Sequence, residues 1–222
     1  MPLIEKLSEV YKEYAVKGVY GNWLIVISII LLSLFFILKY LPLKTKFEKR
    51  SGGVLIAFII VLFTEMYGFP LTIYLLSSFL GINIPLTREG GHLFGDLLDY
   101  LGLINGWLIA MIISTIFIAV GVWLVTEGWS RIYYSKGKII NSGIYSKMRH
   151  PQYSGILLIS FGFLIQWPTL ITLLLFPFLI VMYYKLAKKE EKDIEKKYKK
   201  EYLDYKKKVP IFIPSFKIIF KK

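Results

Sequence analysis

The sequence contains no cysteine, which excludes disulfides, thiolate nucleophiles and cysteine-ligated metals. Only two histidines are present, His92 and His150, and at that separation no His-rich metal site is expected. No G-x-G-x-x-G follows a strand-like run, so a Rossmann-type nucleotide loop is not expected either. Acidic residues are scarce, 15 against 28 Lys+Arg, giving a net charge of +13. Such an excess can mean nucleic acid, but its distribution argues against that partner. Fourteen of the basic residues follow Met182, and ten more fall in the stretches 39–50 and 129–153 between apolar runs. That is how a membrane protein marks its cytoplasmic side. Internal repeats and low-complexity linkers are also lacking.

What the chain does have is apolar length. Of 222 residues, 55% are hydrophobic, with a mean hydropathy of +0.56. A soluble domain of this size has too little interior to hide that much apolar surface. The runs predict an all-α, polytopic membrane protein with three clear spans, at about 23–40, 54–80 and 107–125. The stretch 154–184 reads as a helical hairpin rather than one crossing. Lys-rich residues lie on both sides of it, and Pro168 in Gln166-Trp167-Pro168-Thr169 supplies a turn. Beyond it, 188–205 reads as a cytosolic amphipathic helix, with Ile194, Tyr198, Tyr202 and Tyr205 on one face. The loop 81–106, with a single basic residue, falls on the opposite side. The N-terminus is then outside and the C-terminus cytoplasmic. The first apolar run reads as a retained span and not as a cleaved signal. Two regions follow: 1–128, a transmembrane region, and 129–222, a catalytic region.

One short segment concentrates reactive side chains. Residues 143–155 read G-I-Y-S-K-M-R-H-P-Q-Y-S-G, placing Tyr145, Arg149, His150, Pro151, Gln152 and Tyr153 at the mouth of the hairpin. Forty residues on, where the hairpin returns to the same face, stand Glu190 and Glu191. A cationic cluster and an anionic pair on one surface suit a zwitterionic amino acid moiety, with Arg149 and His150 for its carboxylate and a glutamate for its ammonium. Tyrosine faces can hold a sulfonium by cation–π attraction.

From about 138 to 214 this pattern resembles the isoprenylcysteine carboxyl methyltransferases and their phospholipid-methylating relatives. The residues that carry the resemblance are G-I-Y-x-x-x-R-H-P-x-Y-x-G at 143–155, E-E at 190–191 and Y-x-x-Y-x-x-x-V-P at 202–210. The resemblance implies S-adenosylmethionine as cofactor, bound without a Rossmann fold. It implies that Lys138, Ile139 and Ile140 flank the cofactor through their backbone. Tyr145, His150, Pro151, Gln152 and Tyr153 would form its pocket, with Glu190 holding the amino acid end, Glu191 beside it as the weaker glutamate, and His150 and Arg149 as the catalytic pair. Thr64-Glu65-Met66-Tyr67-Gly68-Phe69-Pro70 is similar to a motif of prokaryotic members. The prenylcysteine enzymes carry an arginine four residues before the first glutamate. Leu186 stands there in this chain, so a different acceptor is expected.

Plainer readings exist for several of these residues. Arg149-His150 alone could be a basic interfacial anchor, Glu191 could be solvated, and the three tail tyrosines could be packing. The tail lysines are most simply a surface facing anionic lipid head groups. Glu65, an ionisable group inside an apolar run, should face protein, either as a structural group or as part of a substrate cavity. His92 is expected to be non-functional. The expected activity is methyl transfer to an amphiphilic, lipid-like acceptor through a carboxyl, thiol or amine. The alternatives are a sterol-reductase-type membrane enzyme using NADPH, or a non-enzymatic membrane protein. The lack of any arginine after Arg149 disfavours the first of these, and the lack of repeats disfavours a transporter.

Overall fold

The computed structural model describes residues 21–40, 46–81, 92–103, 105–135 and 139–214. Among the described residues all regular structure is helical, with no strand. Helix α1, Trp23–Tyr40, is apolar on every side. Val26 and Ile37 are buried, whereas Leu24, Leu31 and Leu38 are exposed, as suits a helix in lipid. Its start is tied to a later turn: the Gly21 N–H donates to the Gly68 carbonyl at 3.0 Å, and the Asn22 N–H to the Tyr67 carbonyl at 2.9 Å.

Helix α2, Lys46–Phe63, widens into a π-helical turn at Thr64–Gly68, closed by the Phe69 N–H donating to the Thr64 carbonyl at 2.8 Å. There the helix stops, with Phe69 extended at φ −126° and ψ 118°. Pro70 is the cause, since it has no N–H to give and disfavours helix in the residue before it. The single span expected at 54–80 is therefore corrected to two elements. The second, α3 at Leu71–Leu80, ends on left-handed Gly81 with φ 65°. Ten residues reach only about 15 Å, half the hydrocarbon thickness.

Helix α4, Leu93–Tyr100, precedes α5, Gly106–Tyr134, which at 29 residues is longer than the expected 107–125. Helix α6 covers Pro151–Gln166 and α7 covers Leu170–Lys208, so the expected turn falls where Pro168 stands. Thr169 caps α7, its hydroxyl accepting from the Thr172 N–H at 3.1 Å. The amphipathic stretch expected as a separate helix at 188–205 is the second half of α7. No helix breaker stands between Tyr184 and Lys188, so the helix runs on as the composition turns from apolar to charged. Its regular geometry is broken at Lys199, with φ 46° and ψ −119°, and Pro177 stands inside its apolar half. Among the described residues, Ser51–Gly68, Gly106–Tyr134 and Leu170–Lys208 are long and apolar enough to cross a bilayer. The all-helical membrane class agrees with the sequence, and two of the three long helices overlap expected spans, the third being α7 rather than α1.

By packing, the chain forms two compact units: Met1–Ile113 with Phe163–Phe178, and Ser114–Gly162 with Leu179–Lys222. The region boundary expected at 128/129 is a division by function and stays a proposal. In the first unit the core is Phe58, Leu62, Met66, Leu164 and Trp167, with Phe63, Tyr67, Phe163 and Phe176 against it. In the second, α5 and α6 touch backbone to backbone. A Cβ on Gly121 would lie 2.7 Å from the Gly155 carbonyl, and one on Gly155 would lie 2.5 Å from that of Gly121. Small residues at such crossings let helices approach without lipid between them.

Candidate active site

The second unit holds the site, and the first residues of α6 organise it. Pro151 occupies the first helical position, where a missing N–H costs nothing. His150 precedes it, its carbonyl accepting from the N–H groups of Tyr153 and Ser154 at 3.2 and 3.1 Å. The segment leading in turns at Gly143, with φ +60°, where any Cβ would collide with the Arg131 guanidinium. Glycine is therefore needed there twice over.

Arg149 is buried and directed at the protein itself. Its Nε donates to Glu191 Oε1 at 2.7 Å, and its Nη1 donates to the carbonyl of Lys206 at 2.9 Å and to that of Val209. The backbone N–H groups of Arg149 and His150 reach the carbonyls of Pro210 and Ile211 at 2.9 and 3.0 Å. The Ser154 hydroxyl donates to the Phe212 carbonyl at 2.9 Å. One short stretch of α6 and its approach thus straps down residues 206–212.

Glu191 is fully buried, so the solvated reading is corrected. Besides Arg149 it has the Lys206 and Lys188 ammoniums at 3.4 and 3.7 Å from Oε2. Burial pushes its carboxyl up, but the His150 ring beside it and the Arg149 guanidinium bonded to it outweigh that and hold it at about 2. Glu190 differs: its side chain keeps 27% of its exposure and accepts a short hydrogen bond from the Tyr153 hydroxyl. The same helical turn therefore carries one carboxylate committed to the scaffold and one open to solvent.

Between them sits His150. Its Nδ1 is 3.6 Å from Glu190 Oε2 and its Nε2 is 3.6 Å from Glu191 Oε1, both beyond hydrogen-bond range, and neither nitrogen has another partner among the described residues. The ring lies parallel to Tyr153, centroids 5.6 Å apart at 5°, with Phe212 edge-on at 6.4 Å. Tyr145 is buried, its hydroxyl within 3.1 Å of Gln152 Oε1 and 3.2 Å of the Gly128 carbonyl. Burial, with Tyr205 and Glu190 nearby, pushes its phenol up. Tyr205 in turn donates to the Tyr145 carbonyl at 2.6 Å, and Tyr202 is buried, so both pack as expected.

Ile139 and Ile140 line an open cleft of about 510 Å³ with Glu127, Ser130, Arg131, Tyr134, Ser135 and Ser142. Arg131 is held there by Glu127 at 2.6 Å. Tyr145, His150, Tyr153 and Glu190 do not line that cleft. Lys138 lies outside the described residues.

In the first unit, Glu65 is 3% exposed and faces protein. Its Oε2 accepts from the Thr72 N–H at 2.8 Å, while Oε1 has no partner. His92 is buried too. Its Nδ1 is 2.7 Å from the Gln166 carbonyl and its ring is edge-on to Trp107 and Trp167, so it ties α6 to the start of α4.

Sequence reasoning passed over Lys206 and Tyr183. Tyr183 is fully buried with a hydroxyl that finds no partner among the described residues. Its signal was available: it stands seven residues before Glu190, on the same face of α7.

The fold and this cluster define a helical membrane protein with a polar site built from α6, α7 and the strap. Residues 100–201 match the phospholipid methyltransferase family, which is among the groups that the motifs resemble. The match takes in the Gly143–Gly155 segment and both glutamates but stops before Tyr202 and Pro210. No curated protein and no solved structure matches the chain.

Proposed function

We propose that the protein is an S-adenosylmethionine-dependent membrane methyltransferase acting on an amphiphilic acceptor. One observation carries the reading. In a segment matching methyltransferases, a buried imidazole with both nitrogens unbonded stands between two carboxylates, of which only Glu190 is open. A zwitterionic amino acid end fits those groups: Glu190 takes its ammonium and His150 its carboxylate. Arg149, directed at Glu191 and the strap, acts by positioning them. Pro151 and Gln152 set the ring's approach, Tyr145 steadies Gln152, and Tyr153 offers a π-face. Lys138, Ile139 and Ile140 flank the adenosyl portion through their backbone.

When bound, the cofactor supplies a methyl group on a sulfonium centre. The protein's task is then alignment and exclusion of water, and a carboxylate or thiolate acceptor needs no general base. Leu186, buried where the prenylcysteine enzymes have arginine, points to a different amphiphile. The basic loops and tail face the cytoplasm and its anionic lipid head groups. With no native cysteine, single-cysteine labelling reads this sidedness directly, and a tail that reacts from outside refutes it.

The cofactor reading is tested by titrating purified protein with S-adenosylhomocysteine and with NADPH. Micromolar binding of the former only, weakened at least about tenfold by Glu190→Ala at an unchanged melting temperature, is expected. Binding that is absent, or indifferent to Glu190, overturns it.

A further inference from the structure

We infer that the Tyr183 hydroxyl is the contact that receives the acceptor's head group, an inference that rests on the methyltransferase reading above. Tyr183 is fully buried, and its oxygen is among the few buried side-chain polar atoms without a partner among the described residues. The others in this unit are both nitrogens of His150 and one oxygen of Glu191. All belong to one cluster, because Tyr153 links them. Its ring is 5.2 Å from that of Tyr183 and 5.6 Å from that of His150, and its hydroxyl donates to Glu190.

Position along α7 separates the roles. Leu179, Tyr183, Leu186, Ala187 and Glu191 form one buried stripe, and Tyr183 lies seven residues from Glu190. Seven residues are about 10 Å along a helix. The displacement runs from the charged half of α7 toward its apolar half, where Ile180 and Val181 are exposed. An amino acid end held at Glu190 and His150 leaves Tyr183 at the deeper end of the cluster, where the apolar tail of an amphiphile belongs. The hydroxyl there donates to an oxygen of the head group, a carboxylate or phosphate oxygen, and so sets the reacting atom. That atom's lone pair forms the bond to the methyl carbon while the carbon–sulfur bond breaks and its electron pair stays on sulfur.

A hydroxyl kept for a ligand carries a desolvation penalty in the ligand-free protein. This gives Tyr183→Phe two opposed effects that a structural role would not produce. The melting temperature of the ligand-free variant rises by about 2–4 °C. Transfer of labelled methyl from S-adenosylmethionine into vesicles of total lipid from the expression host falls about tenfold, through a raised KM for lipid. Affinity for S-adenosylhomocysteine stays within about twofold. A lowered melting temperature shows that the hydroxyl has a structural partner, and unchanged transfer shows that it meets no acceptor. Either result overturns the assignment. Equal loss of S-adenosylhomocysteine binding moves Tyr183 to the donor side and overturns it as well. Wild-type protein that binds no S-adenosylhomocysteine fails the parent reading instead, whereas wild type that binds it and labels only water-soluble products removes the amphiphile alone.

Discussion

The two compact units bury carboxylates in opposite ways. In the first, Glu65 sits in the π-turn of α2 with one backbone N–H for company. In the second, Glu191 has an arginine, two lysines and an imidazole around it. A buried charge left alone is expensive, and one ringed by donors is held in place. Glu191 is the carboxylate that organises structure, and its neighbour Glu190 keeps 27% of its side-chain exposure.

The largest expected effect follows from breaking the stronger arrangement. Arg149→Ala strands Glu191 and the strap carbonyls together, a loss of about 3–5 kcal/mol. Glu65→Gln retains the oxygen that meets Thr72 and changes stability by less than about 1 kcal/mol. Melting curves of the two variants in one detergent decide the matter. Equal costs would mean that the units handle charge alike and that the contrast is false.

A smaller effect sharpens the same contrast through pH. The Glu191 carboxyl is lowered from 4.5 to about 2. In the folded state it therefore stays ionised where the unfolded chain already binds a proton. Its stabilising contribution is fully present above about pH 4.5 and is lost as pH falls toward 2, on the order of 3 kcal/mol in all. Melting temperature against pH should bend downward in that window, and Glu191→Gln should remove the bend. A bend that survives the substitution assigns it to another carboxylate.

Much of this was legible in the sequence where the signal was continuous. The run 23–40, the turn at Pro168 and the packed motif 143–155 are local patterns, and each lies where it was read. Hydrophobicity also carried the reading past its limit, through Pro70, because an apolar run looks the same on both sides of a broken helix. The continuity of α7 was missed for the converse reason: composition changes at Tyr184 while the backbone does not. Only the resemblance separates Glu190 from Glu191 in the sequence, since adjacent residues differ only by the face each turns to, and the face depends on what α7 packs against. Arg149 was read as a ligand-binding cation because its real partners at 206 and 209 are main-chain carbonyls, which any residue supplies.

That last point gives the strap a meaning in time. A ribosome delivers the chain from its N-terminus, so Arg149 exists before the carbonyls it will hold, which come 57 and 60 residues later. The donors are made first and their acceptors last. Until residue 212 has been added, the imidazole of His150 lacks the edge of Phe212, and the guanidinium beside it lacks the oxygens that fix its direction. The donors of this cluster lie two thirds of the way along the sequence, and their partners at 206–212 complete its geometry.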